Sequence, residues 1–353
     1  MKLSKFSYRE NDWILDEIEF KDINLIVGKN AAGKSRTLRS MADVFMFMNN
    51  KINMQNRSFE CSLEFQSNKK YHYSFNLKEG KVVYEQLIVD EHHTLISRDG
   101  HGSFLKGEGI NPPEDVLILQ SRRDTEAFPE FEEILNWTEH STGFMFSNAS
   151  ASNTRESDNF LFKGNLNFES LFEKLSKSQV NEIIEKLKSM DYNVSTIENV
   201  DLPNEFKIVF LYEEGIHRPL FTMTISNGMY RVIYLLFYIY YVANYQKASC
   251  LMIDDLGEGL DYSRSTKLTS ILYDYCSEHG IQVIATSNDS FLLNQTKLDY
   301  WTVLSRIGSH VKNYSESNHP KLFRKFKFTG LNNFALLSSD FIDRFLQEEG
   351  NDK

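Results

Sequence analysis

The sequence is poor in cysteine, has no long hydrophobic run and carries less positive than negative charge. Cys61, Cys250 and Cys276 are the only three cysteines in 353 residues. Their odd number and wide spacing exclude a disulfide framework and a cysteine-built zinc site. That usage fits a reducing compartment, so a cytoplasmic location is expected. Cys250 sits inside an apolar strand pattern and reads as core. The longest charge-free apolar stretch, residues 232–243, is 12 residues long, whereas a membrane span needs about 20. It reads as a buried helix, and no membrane partner is expected. Met1-Lys2-Leu3-Ser4-Lys5 leads into mixed polar sequence and does not read as a signal peptide. Lys and Arg total 39 against 49 Asp and Glu, a net charge of −10. That balance speaks against a broad nucleic-acid surface, though a local basic patch is compatible with it. No internal repeat is visible. His92 and His93 lack a third ligand at metal spacing and read as part of a solvated loop.

What is present is concentrated in Ile23-Asn24-Leu25-Ile26-Val27-Gly28-Lys29-Asn30-Ala31-Ala32-Gly33-Lys34-Ser35. An apolar, β-branched run ends in Gly28, and Gly33-Lys34-Ser35 follows at the spacing of a phosphate-binding loop. Glycines there permit torsions that a side chain would block. The backbone N–H groups can then turn toward a β-phosphate, with the positive end of the next helix behind them. Lys34 can reach the β- and γ-phosphates, and the Ser35 hydroxyl can ligate Mg²⁺. The bland alternative, a glycine turn with a surface lysine, does not account for the strand–loop–helix setting.

Patterning predicts strands at 4–8, 14–20 and 23–27, then a helix over 36–48. Alternating runs at 59–65, 70–77 and 81–89, with a turn at Glu79-Gly80, predict antiparallel strands. Residues 92–113 read as loop, and 116–120 as an apolar strand ending in Gln120. Residues 125–190 read as helical and acidic, then polar, with 147–158 a mobile stretch. Strands are expected at 206–212, 220–224, 249–253 and 281–285, and helices at 229–245 and 262–279. The tail reads as short strands, including 321–328, and a last helix near 340–347. The stretch 321–328 alternates basic and aromatic residues. A strand with one wet face is the plain reading, and a nucleic-acid stacking platform the sharper one.

A second acidic centre follows. Leu251-Met252-Ile253-Asp254-Asp255 is an apolar strand ending in two carboxylates. Beside a phosphate loop, Asp254 can hold Mg²⁺ through water and Asp255 can orient and deprotonate the attacking water. Capping of a helix is the ordinary alternative for such an aspartate. Leu256-Gly257-Glu258-Gly259-Leu260-Asp261 continues as a tight turn. Upstream, Ser226-Asn227-Gly228 opens the long apolar helix. Ser226 can simply cap it, or its hydroxyl and the neighbouring N–H groups can offer a second phosphate surface. One ATP does not need two such surfaces from one chain, so the natural use is a partner chain's ATP.

In this order the motifs resemble an ABC-type ATPase head of the chromosome-maintenance and recombination-repair branch. The motifs are Gly28 to Ser35, Gln120, Ser226 to Gly228, Asp254-Asp255, Gly257 to Asp261, then Ala285-Thr286-Ser287-Asn288-Asp289. They look closer still to the stand-alone AAA-family ATPases of bacterial phage-defence operons, such as the Septu, PARIS and OLD-related systems. The resemblance covers roughly 1–48, 114–124 and 205–300. It implies an α/β P-loop NTPase: an ABC-ATPase-like head with a mixed central sheet, an antiparallel β subdomain and a helical insertion. The corresponding segments are 1–124, 125–204, 205–310 and a C-terminal extension, 311–353. It implies ATP and Mg²⁺ as ligands. Gly28, Asn30, Ala31, Ala32, Gly33, Lys34, Ser35 and Arg36 would bind the phosphates. Ser35, Asp254 and Gln120 would serve the metal. Asp255 would be the general base, with Lys34, Gln120 and Asn288 assisting. Ser226, Asn227 and Gly228 would close on the γ-phosphate across a head-to-tail dimer, with Gly259 and Asp261 at its seam.

Two departures bear on turnover. Asp255 stands where glutamate is usual, and Asn288 where histidine is usual. Asn288 can hydrogen-bond a phosphate but cannot carry a proton. Three functions are compatible with these residues. One is an ATPase whose dimer cycle controls a separate effector, such as a nuclease or toxin. Another is a slow ATP-dependent scaffold or switch. The third is a DNA-repair ATPase, disfavoured by the acidic balance and by the lack of a long arm or a nuclease segment. Tyr8 and Trp13 are candidates for the adenine contact or else packing residues. Arg122 and Arg123 could touch nucleotide, partner or nucleic acid, or form a solvated basic pair.

Overall fold

The structure is a computed structural model and describes residues 1–146, 168–201, 207–221 and 224–351. The expected mobile stretch at 147–158 lies outside the described residues. The chain divides into two compact units, Met1–Thr142 with Lys297–Lys353, and Gly143–Thr296.

The first unit opens with β1 (Lys2–Glu10), β2 (Trp13–Glu19) and β3 (Ile23–Gly28), followed by α1 (Lys34–Met48). Every residue of β3 is buried, as expected of a central strand with both faces covered. A meander follows: β4 (Phe59–Gln66), β5 (Lys70–Lys78), β6 (Lys81–Val89), β7 (His93–Asp99), β8 (Gly102–Leu105) and β9 (Glu108–Ile110). In β4 and β5 buried and partly exposed residues alternate strictly, the period-two signature of a sheet with one covered face. Then come α2 (Ile118–Ser121), α3 (Pro129–Glu139) and β10 (Ser141–Met145), which runs across the boundary between the units.

The second unit carries α4 (Phe168–Lys174), α5 (Lys177–Ser189), β11 (Val194–Asp201), β12 (Lys207–Glu213) and β13 (Leu220–Phe221). β11, β12 and β13 form an antiparallel sheet of their own. Residues 194–201 therefore add a strand where only helix is expected from the sequence. α6 (Asn227–Tyr241) is apolar around most of its circumference and runs into a wider π turn, Val242–Gln246. β14 (Cys250–Asp254), α7 (Tyr262–Glu278), β15 (Gln282–Thr286) and α8 (Ser290–Gln295) follow. β14 and β15 are parallel and fully buried.

The chain then returns to the first unit as β16 (Trp301–Ile307), β17 (His310–Ser315), α9 (Pro320–Lys327), α10 (Ala335–Ser338) and α11 (Phe341–Asn351). There the strand order is β3-β16-β17-β2-β1-β4-β5-β6-β7-β8-β9. β16 pairs parallel with β3, and β17 parallel with β2; the meander is antiparallel. The sheet is thus mixed.

Three further expectations need correction. Residues 92–113 are not a loop but contribute β7, β8 and β9. Their polar and glycine-rich positions belong to tight turns with left-handed backbone at Asp90, Glu91, Lys106 and Gly107, while Ile96 and Leu105 point into the core. Residues 116–120 do not form a strand. The chain bends at Leu117 and makes one helical turn, because a buried apolar run of that length suits either state and tertiary partners choose. Residues 321–328 are helical, with Pro320 at the first turn and Leu322, Phe323 and Phe326 buried on one side. Phe323 and Phe326 are therefore withdrawn from any stacking role, and the basic residues occupy the opposite face.

Candidate nucleotide site

The phosphate loop is built by a strand that can end only in glycine. A Cβ on Gly28 would lie 2.7 Å from the Leu304 carbonyl oxygen of β16. The loop then passes through left-handed backbone at Ala31 (φ 62°) and Gly33 (φ 106°). Gly33 is the N-cap of α1, and no side chain caps that helix. The first turn also lacks an acidic residue. The positive end of its dipole therefore faces neither a side-chain cap nor an acidic residue of its own first turn, a setting that suits an anion. Lys34 is buried, and its Nζ donates to the carbonyls of Gly28 at 3.0 Å and Lys29 at 3.4 Å. The ammonium is folded over the loop it would open for phosphate. Thr37 locks the turn, its Oγ1 donating to Gly33 O at 3.0 Å. Asn30 and Ala31 are exposed, Ala32 is buried and Ser35 is half-buried at the head of α1.

Arg36 turns away from the loop. Its guanidinium lies 4.5 Å from the Trp13 ring centroid and 3.7 Å from Glu10. Trp13 and Tyr8 are both buried, and Tyr8 stacks on Phe59 with centroids 5.3 Å apart while accepting a hydrogen bond from Arg57. Both are packing residues, the plainer of the two readings. Arg123 is committed to Glu132 at 2.7 Å and Glu139 at 3.7 Å, whereas Arg122 is exposed.

Gln120 lies on α2 rather than at a strand end. It is buried, and both ends of its amide are engaged: Oε1 accepts from Leu117 N at 3.0 Å and Nε2 donates to Phe47 O, in the last turn of α1.

In the second unit, Asp254 ends β14, almost fully buried. The Thr286 hydroxyl donates to its carboxylate at 2.5 Å and accepts from Asp255 N at 2.9 Å. Leu256 N donates to Thr286 O, and Ser287 Oγ to Leu256 O. The end of β15 thereby fixes the path of the two acids. Asp255 is left-handed, at φ 57°, a strained conformation for a non-glycine residue. Gly257 and Gly259 continue with φ 85° and 80°. Asp261 caps α7, accepting from Arg264 N at 3.0 Å. Ser226 caps α6, accepting from Met229 N at 3.2 Å. The Ser226-Asn227-Gly228 segment lies close to the glycine turn. A Cβ on Gly228 would meet Gly259 O at 3.2 Å, and Arg231 Nη1 donates to Glu258 O at 2.9 Å. Asn288 is exposed, and Asp289 after it caps α8. Burial raises the Asp289 carboxyl above its ordinary value.

Sequence reasoning missed Thr286 and Arg231. Thr286 was legible only as part of the Ala285–Asp289 motif, and a hydroxyl at a strand end is a weak signal. Among the described residues no group of three His, Cys, Asp or Glu stands together for a metal. A Mg²⁺ would need phosphate oxygens among its ligands, which is how that ion is ordinarily held at nucleotide sites.

The structure is similar to a solved SmcHead bound to the C-winged helix domain of ScpA, with TM-score 0.55 and 11% identity, over 91% of this chain and 100% of that one. An SMC head domain from Thermotoga maritima overlaps with TM-score 0.48 and 13% identity, over 89% and 99%. The first likeness establishes the fold, an SMC-head, ABC-ATPase-type P-loop NTPase. No curated protein matches the chain. Residues 23–294, from β3 into α8, match the family model described as "AAA domain, putative AbiEii toxin, Type IV TA system", and the chain belongs to that AAA ATPase family.

Proposed function

We propose that this chain binds ATP with Mg²⁺, hydrolyses it slowly, and uses the cycle to join and separate two copies head to tail. The observation that carries the reading is the phosphate loop. An uncapped helix start, two left-handed residues and a buried lysine resting on loop carbonyls have one evident ligand, a polyphosphate. Gly28, Asn30, Ala31, Ala32, Gly33, Lys34 and Ser35 hold the phosphates, and Arg36 supports the loop through Trp13. Ser35 and Asp254 serve Mg²⁺, which supplies Lewis-acid stabilisation of the transferred phosphoryl group when bound. Asp255 is the general base, and Gln120 and Asn288 assist by hydrogen bonding. Gln120 must leave Phe47 O to do so. Ser226, Asn227 and Gly228 complete the site of a second copy. The output is regulation of a separate effector, a nuclease or toxin, in anti-phage defence. A similar solved head is bound to another protein's winged-helix domain, which makes a protein partner a natural output here.

A slow switch or scaffold is the second reading. The strained, shortened base at Asp255 favours it, because misplacement of a general base can cost a factor of about 10²–10⁴.

Hydrolysis by wild type and Asp255→Ala separates the two. Turnover by wild type above the mutant, with or without a partner, is expected for the enzyme; equal rates leave the switch. Sedimentation of Asp255→Ala with bound ATP is expected to shift to larger species. An unchanged profile would remove the head-to-tail dimer. Absence of DNA binding at low salt would exclude a direct DNA-acting ATPase.

A further inference from the structure

Glu85 and Arg98 are opposite one another in the ladder between β6 and β7. Glu85 is fully buried and Arg98 is nearly so. Buried charges are costly unless several partners satisfy them. Here the partners belong to one short segment. Glu85 accepts from Ile118 N at 2.6 Å and Leu119 N at 3.0 Å, and from the Tyr73 hydroxyl at 2.9 Å. Arg98 donates to Val116 O at 2.9 Å and Pro113 O at 3.0 Å. The segment is thus gripped on both sides of Leu117, its N–H groups by the carboxylate and its carbonyls by the guanidinium. A single helical turn has no stability of its own, so α2 depends on this grip. Gln120 is the next residue.

We propose that Glu85 and Arg98 are positioning residues for Gln120, through which the antiparallel strands β6 and β7 set the glutamine that serves ATP hydrolysis. The proposal rests on the reading that Gln120 takes part in that reaction. With the backbone of Ile118 and Leu119 held, exchange is confined to the Gln120 side chain. Its amide can leave Phe47 O for the nucleotide and return without the segment moving. The chemistry asks for a hydrogen-bond acceptor at both side-chain oxygens. Donors arrive on both oxygens, so a carboxamide at position 85 would turn an N–H group against one of them.

The test is a double-mutant cycle in the full chain. Single-turnover hydrolysis and binding of a fluorescent ATP analogue are measured for wild type, Glu85→Gln, Gln120→Ala and the double variant. Glu85→Gln is expected to slow hydrolysis about tenfold or more with nucleotide affinity retained, since about 1 Å of misplacement can cost on the order of 10² in rate. In the Gln120→Ala background it is expected to have no further effect. An equal loss in both backgrounds overturns the positioning role while leaving the ATPase reading intact. A Gln120→Ala protein as fast as wild type overturns the role of Gln120, and the positioning role with it. No hydrolysis by wild type overturns the ATPase reading itself. Tyr73→Phe removes one donor and spares both backbone bonds, so it serves if Glu85→Gln does not fold. A smaller loss, absent without Gln120, is expected of it, and an unchanged rate counts against the proposal.

Discussion

Thr286 and Asp254 are joined by a 2.5 Å hydrogen bond between the ends of β15 and β14. The same hydroxyl accepts from Asp255 N, so one side chain orients both acids. Thr286→Val keeps the shape and removes the hydroxyl. It is expected to cost about 1–3 kcal/mol of stability, because a buried carboxylate and a backbone N–H each lose a partner. Hydrolysis should fall with it. Thr286→Ser should restore both, as read by urea unfolding and by turnover.

Asp255 has the left-handed backbone that asparagine tolerates well. Asp255→Asn is therefore expected to keep stability within about 0.5 kcal/mol of wild type. Hydrolysis should drop by about 10²–10⁴ if the carboxylate is the base. A stability loss well beyond that range would mark the carboxylate as structural.

Two glycines separate close approach from backbone strain. An alanine Cβ at Gly28 would sit 2.7 Å from a backbone carbonyl, whereas one at Gly107 would meet nothing within 4 Å. Gly107→Ala should cost about 1–2 kcal/mol from its positive φ alone and leave nucleotide binding unchanged. Gly28→Ala should displace β3 from β16 and abolish nucleotide binding. Melting curves and an ATP titration on both variants check the contrast.

Burial pushes Glu85 up to about 7 from 4.5, against its backbone donors and Arg98. Between those values the folded state binds more protons than the unfolded chain, so stability falls as pH rises. The contribution of the neutral form is complete below about pH 4.5 and is lost through pH 7. The difference in unfolding midpoint between wild type and Glu85→Gln should therefore change between pH 5 and 8, with the slope steepest below about 7. A pH-independent difference would show that Glu85 does not titrate in this range.

All three cysteines are buried and free, and burial raises each thiol well above its ordinary value, Cys276 to about 12. Alkylation in native buffer should label none of them within the time that urea-unfolded chain is labelled completely, as read by intact mass.

Much of the fold was legible because its signals are local. The alternation in β4, β5 and β6 shows which face each strand buries, and Ser226 marks the start of α6 three residues before the N–H it accepts. The regions that were not legible depend on distant partners. Residues 92–113 look like loop until β6 supplies a register for β7. Residues 321–328 show an alternation of type but bury Leu322, Phe323 and Phe326 at helical spacing.

The sequence by itself determined the chemistry of the phosphate loop and the order of the motifs. Loop geometry there is a property of adjacent residues: glycine torsions, a helix start and a lysine within reach. Tertiary structure alone decided which groups those motifs may use. Glu85 lies 33 residues from Ile118 and turns an apolar run into a helical turn that carries Gln120. Thr286 lies 32 residues from Asp254 and fixes both acids. Hydrogen bonds across such separations leave no periodic trace in the chain, because their partners are chosen by packing and not by neighbours in sequence.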